Sequence, residues 1–263
     1  MRFDLPCSCC GTSHGTLAAL ALQAIEAKPA PVDPLEAIQF FRNKLDIPTR
    51  QWTDLWQQQH SVAFTVAGAT SKALVADFRA AVDKVISQGT TLEDFRKDFD
   101  KIVADHGWSY NGERGWRSRV IFDTNVGMAY AAGKWEQIQR VKDQRPYLRY
   151  VHLEGQKHPR PLHASWHNTV LPVDDPWWQT HFPPNGWFCH CTVQSLNARD
   201  LDRYNLAVSD EAPASPLVPR TINTADGRQS VMVPQGIDPG FAYRPGALPD
   251  DVVKAALEAR AAD

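Results

Sequence analysis

Two histidines and two cysteines in one proline- and tryptophan-rich stretch are the residues best suited to hold a metal ion. His163 and His167 are four positions apart, a spacing that puts two imidazoles on one face if the segment is helical. Cys189 and Cys191 are separated by one residue, so in a strand both thiols point to the same side. Two imidazoles and two thiols form a ligand set that is chemically suited to tetrahedral zinc.

The same four residues also have a purely structural interpretation. The cysteines lack the two-residue spacer of zinc knuckles, and no Glu lies between the histidines as in a zincin. In this interpretation Cys189 and Cys191 are small buried hydrophobes under the tryptophans, and His163 hydrogen-bonds a loop carbonyl. We favour it, so that no cofactor is expected and zinc is the alternative.

The sequence offers little for catalysis beyond this set. It contains no Gly-rich phosphate loop and no Gly-x-Ser-x-Gly elbow. Asp174 and Asp175 are adjacent, so on an extended chain they face opposite ways and cannot pair as general acid and base. A cysteine inside a strand is poorly exposed for nucleophilic attack. We therefore predict that the protein is not an enzyme; the alternative is a metal-dependent hydrolase or nuclease domain that uses the His/Cys set.

The segment that must position these residues, 160–191, is predicted to be an ordered loop system. Its many prolines fix φ and withhold backbone donors, which excludes long regular elements. Large aromatic side chains hold such loops in place. Strands are expected at 147–153 and at 187–193, and Trp187 is interpreted as the centre of a small core.

Helices dominate the half of the chain that precedes this segment. Capping residues and 3.6-residue periodicity predict helices that start at Asp33-Pro34, Ser71 and Thr91, and a long helix over 115–142. A further helix is expected from Thr49, carrying Trp52. The fold class is therefore α+β: a helical N-terminal half, then a smaller Pro/Trp-rich, β-containing half built on the Cys-x-Cys strand.

Four regions follow from this division. Residues 1–32 are expected to form a flexible tail, 33–145 a helical domain, 146–210 the Pro/Trp-rich region, and 211–263 a linker, a hairpin and a C-terminal helix. Asp226-Gly227 between two β-rich runs is the hairpin signal.

Charge is nearly balanced over the whole chain but uneven along it. The net charge of −2 argues against bulk non-specific binding of nucleic acid. Between Gly112 and Arg160, ten Lys and Arg face five Asp and Glu. This excess indicates either a solvated helix face or a surface for DNA phosphates or an acidic partner. Five cysteines in two tight groups suit a reducing cytoplasm better than a disulfide framework, and no stretch is long enough to span a membrane.

The segment from Arg160 to Cys191 resembles the F-like minor head proteins of bacteriophage Mu and related tailed phages, a head-morphogenesis family. The chain differs at His190, where the family usually has Arg, and at His167, where no His is expected. The resemblance extends from Pro34 to Gly246. The residues that carry the motif are Arg160, Pro161, His163, Pro176, Trp178, Pro183, Pro184, Trp187, Cys189 and Cys191.

This resemblance implies a minor structural protein of a phage head that is associated with the portal and acts in capsid assembly by binding. Some members are thought to influence DNA packaging or ejection. The expected partners are the portal protein, a scaffold or the major capsid protein, with the DNA genome contacted through Gly112–Arg160. The expected location is the virion, in the head interior or at the portal vertex, and the host cytoplasm during assembly.

Overall fold

Helices interrupted by short strands form the first part of the computed structural model, which describes residues 34–154 and 160–262. The elements up to residue 141 are α1 (Leu35–Arg42), β1 (Leu45–Asp46), a 3-10 helix (Trp52–Asp54), α2 (Gln59–Val62), β2 (Ala63–Phe64), α3 (Lys72–Gln88), α4 (Leu92–His106) and α5 (Arg114–Val141).

Small sheets and short helices form the second part, so the α+β prediction is confirmed. The three-stranded sheet has the order β4-β3-β5, and β6 pairs with β7 as a hairpin. These elements are β3 (Tyr147–Val151), α6 (Pro161–Ser165), β4 (Val170–Pro172), α7 (Trp178–His181), β5 (Thr192–Leu196), α8 (Ala198–Tyr204), β6 (Leu217–Thr224), β7 (Gly227–Pro234) and α9 (Asp251–Ala262).

Local capping signals set the ends of α3 and α4 as the sequence predicted. The Ser71 hydroxyl accepts a hydrogen bond from the Leu74 N–H, and α3 ends at Gly89, which is left-handed. Thr91 and Asp94 form a capping box at the start of α4. The long helix predicted over 115–142 is also confirmed, as α5.

Two helices predicted within residues 33–56 are shorter in the structure than the sequence indicated. Helix α1 stops at Arg42, because Leu45 and Asp46 pair in parallel with β2 instead of continuing the helix. The helix expected from Thr49 is a single 3-10 turn. The Asp54 carboxylate there accepts the backbone N–H groups of Arg50 and Gln51, which satisfies the turn locally. Asp33 lies outside the described residues.

The strand predicted over 187–193 is wrong, whereas the one that begins at Tyr147 is confirmed as β3. Phe188 has φ of 57°, a left-handed conformation that ends any extended run through it. Strand β5 therefore begins only at Thr192, and it pairs antiparallel with β3, Val151 opposite Thr192.

Three clusters of buried hydrophobic residues hold the described residues together as one compact unit. The first joins α1, α3, α4 and α5 around Phe78 and Phe99. The second surrounds Trp178, which is fully buried, and draws on α5, the loop segment and residues near Phe241. Trp187 is only partly buried beside this cluster, so its interpretation as the core centre is wrong. The region boundaries at 145 and 210 stay predictions, and residues 1–32 lie outside the described residues.

Close packing of α1 against α5 depends on a glycine. A Cβ atom built on Gly133 of α5 would lie 2.6 Å from the backbone N of Ala37 and 3.0 Å from its Cα. Backbone atoms cannot yield to such a contact unless the helices separate.

None of the helices in the described part of the chain is long and apolar enough to cross a membrane.

Replacing Gly133 with Ala should therefore lower the free energy of unfolding by about 1–3 kcal/mol, because the added methyl group forces α1 away from α5. Gly127→Ala is the matched control on the same helix. Its Cβ would lie 3.5 Å from Pro184 Cγ, an ordinary contact, so the variant should be neutral or gain about 0.5–1 kcal/mol. Urea unfolding followed by circular dichroism measures both. A Gly133→Ala variant as stable as the control would contradict the packing described.

Candidate functional site

His163, Cys189 and Cys191 meet in one buried cluster. The Nδ1 atom of His163 lies 3.5 Å from the Cys189 Sγ and 3.7 Å from the Cys191 Sγ. One potential ligand atom from each residue lies within 4.8 Å of the other two. The cysteines are free thiols. The structure thus brings together three of the four residues that the sequence proposed as metal ligands.

The orientation of the His163 ring is set from its far side. Its Nε2 atom donates a hydrogen bond to the Gly236 carbonyl, at 2.8 Å, which leaves Nδ1 as the acceptor that faces the thiols. The ring also stacks on Trp166, with centroids 5.0 Å apart. Gly236 has φ of 93°, and a Cβ there would lie 2.8 Å from the Trp166 ring. A glycine is therefore required for this chain segment to approach both rings.

A tight turn, not a strand, directs both cysteines to the same side. The N–H of Cys189 donates to the carbonyl of Gly186 at 3.1 Å, and the left-handed Phe188 lies between them. The chain becomes extended again at Thr192. The shared direction of the thiols was predicted from strand alternation, and it is produced instead by this turn.

The two thiols differ in acidity because they share one proton. The hydrogen bond that Cys189 donates lowers the pKa of Cys191. The pKa of Cys189 is raised, since it donates that hydrogen bond and is buried. Cys191 is thus the more acidic thiol of the pair, because its thiolate accepts a hydrogen bond from its neighbour.

His167 lies outside the cluster, and His152 borders it instead. His152 Nδ1 is 3.3 Å from the Cys191 Sγ, whereas the exposed His167 accepts the His152 backbone N–H with its Nδ1 at 3.1 Å. The pairing of Val151 with Thr192 explains this, because the next positions along an antiparallel ladder are 152 and 191. Sequence reasoning missed His152, since only the register of β3 and β5 places it there.

Arg160, the first residue of the family motif, connects three distant chain segments. Its guanidinium donates to both carboxylate oxygens of Asp238, at 3.0 and 2.8 Å, and to the Trp187 carbonyl at 2.9 Å. Asp238 in turn accepts the Trp187 N–H at 2.9 Å. The hydrogen bond to Asp238 raises the pKa of Arg160. A Cβ on Gly186 would lie 2.4 Å from the Asp238 carboxylate. Asp238 was not among the predicted site residues.

The other motif residues form turns and the core. The Trp178 indole N–H donates to the Pro172 carbonyl at 3.0 Å. Pro161 is the first residue of α6, and the exposed Pro176 precedes α7. Pro183 and Pro184 are joined by a cis peptide bond. The motif is therefore mainly an architectural one.

A groove of about 510 Å³ runs past the cluster between α1, α5 and the cysteine turn. Its lining includes the exposed His190 and two carboxylates, Asp123 and Glu36. Arg119 pairs with Asp123 at 3.0 Å, and Arg140 pairs with Glu36. Among the described residues, no carboxylate joins the His163 cluster as a potential ligand.

The local excess of positive charge between residues 112 and 160 is largely neutralised in three dimensions. Each basic residue of that segment in the described part of the chain makes at least one hydrogen bond within the fold. Five of them pair with acids from outside the segment: Arg114 with Asp100, Arg140 with Glu36, Lys142 with Asp174, Arg145 with Asp200, and Arg160 with Asp238.

The fold and the site define an α+β class of protein, in which loops rich in proline and tryptophan are held by an Arg–Asp pair around a buried His–Cys–Cys cluster. Residues 76–194 match the family described as "Phage Mu protein F like protein". These residues are similar to that family, and the resemblance seen in the motif is confirmed.

Two curated relatives are similar to much of the chain. The protein named "Putative capsid assembly protein F" in Escherichia phage Mu is 32% identical over 252 residues, which cover 84% of this chain and 56% of that protein. The Mu-like prophage FluMu F protein of Haemophilus influenzae is 32% identical over 171 residues, 61% of this chain and 41% of its own length. The chain thus spans about half the length of these relatives. No solved structure gives a significant match.

The Arg160–Asp238 pair predicts a specific loss of stability. Asp238→Ala removes the acceptor of both Arg160 and the Trp187 N–H, and it should lower the free energy of unfolding by about 1–3 kcal/mol. Asp174→Ala is the control, since the Asp174 side chain is 71% exposed in its ion pair with Lys142; its effect should stay below about 1 kcal/mol. Thermal and urea unfolding measure both variants. Equal effects would show that the Arg160 network contributes no more than a surface ion pair.

Proposed function

We propose that this chain is a minor structural protein of a tailed-phage head, that it is associated with the portal, and that it acts in capsid assembly. The observation that carries the proposal is its 32% identity, over 84% of its length, to a phage Mu protein named for capsid assembly. The proposal includes a location in the virion, at the portal vertex or head interior, after assembly in the host cytoplasm. It also includes a contribution to DNA packaging or ejection.

The proposed mechanism is binding to other head proteins and not turnover of a substrate. A groove of about 460 Å³ between α5, the 3-10 helix and the cysteine turn is lined by Trp52, Trp116, Trp187 and Phe188. Trp116 is 50% exposed. Exposed aromatic side chains around an apolar groove are typical of protein contacts. We assign this surface to a head partner: the portal protein, a scaffold or the major capsid protein.

A metal-dependent hydrolase or nuclease is the second interpretation, and no specific observation favours it. Such an enzyme requires an open metal position and a general base beside it. His163, Cys189 and Cys191 are all buried. The two carboxylates that line the neighbouring groove are already paired, Asp123 with Arg119 and Glu36 with Arg140. We therefore keep the proposal that the protein has no catalytic role.

Contact with the DNA genome through Gly112–Arg160 stays a prediction, and the ion pairs weaken it. The segment has a net charge of +5, and five of its basic residues pair with acids from elsewhere in the fold. A protein releases counterions from DNA only through cations that are free to meet phosphates.

We expect purified virions of the parent phage to contain the chain and its deletion to abolish normal heads. Trp116→Ala should lower the affinity for proheads by about tenfold or more, because truncation of a central interface Trp removes a large buried contact. Mass spectrometry of particles and co-sedimentation with proheads measure these outcomes.

Tyr204→Ala is the matched control for Trp116→Ala, since Tyr204 is 41% exposed and lies on α8, away from the groove. It should co-sediment like the unmodified chain. Infectious particles that lack the chain and have normal heads would contradict the proposal. Equal loss in both variants would remove the groove from it.

For DNA, we expect weak binding at physiological salt with a shallow salt dependence. Arg149 makes its hydrogen bonds to neutral side chains, Asn168 and Gln194, so it is the residue best placed to exchange them for phosphate. Arg149→Gln should lower the slope of log K against log salt by about one unit. Arg203→Gln, on α8, is the control. Fluorescence anisotropy over a salt titration measures the slope, and an unchanged slope would direct any contact away from Arg149.

A further inference from the structure

We propose that Cys189, Cys191, His163 and His152 bind one structural zinc ion that fastens the cysteine turn to α6 and to the end of β3. The inference does not rest on the head-assembly proposal, since it concerns what holds this part of the fold together. It replaces His167 of the sequence-based ligand set with His152.

The spacing of three ligand atoms already suits a tetrahedral ion. With Zn–S near 2.3 Å and Zn–N near 2.0–2.1 Å, neighbouring sulfur and nitrogen ligands lie about 3.6 Å apart. His163 Nδ1 lies 3.5 Å from one sulfur and 3.7 Å from the other. Both sulfur–nitrogen distances therefore match those around a zinc ion, and the two sulfurs lie within 4.8 Å of each other.

The surroundings of His163 favour the metal-bound state. Its Nε2 donates to the Gly236 carbonyl at 2.8 Å, and a ligating histidine almost always donates its other ring N–H in this way. The hydrogen bond fixes the tautomer whose Nδ1 lone pair points at both sulfurs. Trp166 stacks on the ring and holds its plane. The imidazole is thus preorganised as a ligand.

The sulfur atoms have the chemistry that selects zinc. Thiolate and imidazole ligands suit zinc, whereas oxygen ligands suit magnesium and calcium. Cys189 and Cys191 are two buried free thiols beside the His163 imidazole, so they provide the sulfur and nitrogen ligands that suit zinc. An ion would neutralise the charge of two neighbouring thiolates, which otherwise repel each other.

His152 supplies the fourth ligand. It is half-buried, and its Nδ1 is 3.3 Å from the Cys191 Sγ. Its ring has to turn toward the other two ligands to complete a tetrahedron. The backbone N–H of His152 donates to His167 Nδ1 at 3.1 Å. His167 therefore helps to position His152 without being a ligand itself. Four protein ligands close the site and make it structural.

Such an ion would stabilise a segment that has few regular hydrogen bonds. The ligands come from the end of β3, from α6 and from the turn before β5. These segments are distant in sequence, and no long element links them. Metal binding to a site that exists only in the folded chain contributes directly to folding.

The test uses the full chain, purified without a polyhistidine tag and without chelator. Elemental analysis should find about one zinc per chain, and X-ray absorption at the zinc edge should show two sulfur ligands near 2.3 Å and two nitrogens near 2.0–2.1 Å. Exchange with cobalt should give the visible spectrum of a tetrahedral, thiolate-bound ion. These measurements on the unmodified chain decide the proposal even if the ligand variants fail to fold.

The variants test the individual ligands. Cys189→Ser with Cys191→Ser should abolish zinc retention. His152→Gln should lower the zinc affinity by about tenfold or more in a competition with a chelating dye. His167→Gln is the matched control, since this residue is a neighbour that is not a ligand, and its affinity should change far less. If His167→Gln loses zinc as His152→Gln does, or if His152→Gln keeps full affinity, the assignment of the fourth ligand is overturned.

The proposal as a whole is overturned if the unmodified chain carries less than about 0.1 zinc per chain and acquires none when zinc is added in the presence of a reductant. The same holds if the cysteine variants retain as much zinc as the unmodified chain. In either case the cluster is two buried thiols that are hydrogen-bonded to His163.

Discussion

The bidentate ion pair between Arg160 and Asp238 is the contact on which the second half of the structure depends. Its two residues are separated by most of the C-terminal region, yet the same carboxylate also accepts the Trp187 N–H. One interaction therefore fixes the start of α6, the turn that carries the cysteines, and the segment after β7. That segment also provides the Gly236 carbonyl that orients His163. Charge-assisted, bidentate hydrogen bonds tolerate little change in geometry. They therefore allow less variation in the position of the His163–Cys189–Cys191 cluster than apolar contacts would.

The long helix α5 links the two larger clusters of buried residues. Ile121 and Ala129 lie in the first cluster, while Met128 and Ile138 lie in the second. Packing therefore joins α5 both to the helices before it and to loops that are distant in sequence.

Electrostatics in this fold is mainly internal. A run of positive charge along the sequence becomes a set of separate ion pairs, because the chain folds acids from other segments against it. For example, Glu36 at the start of α1 receives hydrogen bonds from Gln137 and Arg140, which lower its pKa to about 2. The groove beside Trp116 is largely apolar, and it suits a protein whose proposed role is to bind other proteins of a phage head.

The sequence by itself determined the elements that local chemistry controls. Ser71 and Thr91 cap helices through their own side chains, and Asp226-Gly227 closes a hairpin. The motif around His163 also indicated the family. Only the tertiary structure decided which residues meet. The strand register that places His152 against Cys191 and the partnership of Arg160 with Asp238 join positions 39 and 78 residues apart. No local pattern encodes such pairs, because they result from how whole elements pack. The left-handed Phe188 shows the same limit at short range: an aromatic residue of a type that favours strands lies in a turn, with the Arg119 guanidinium over its ring.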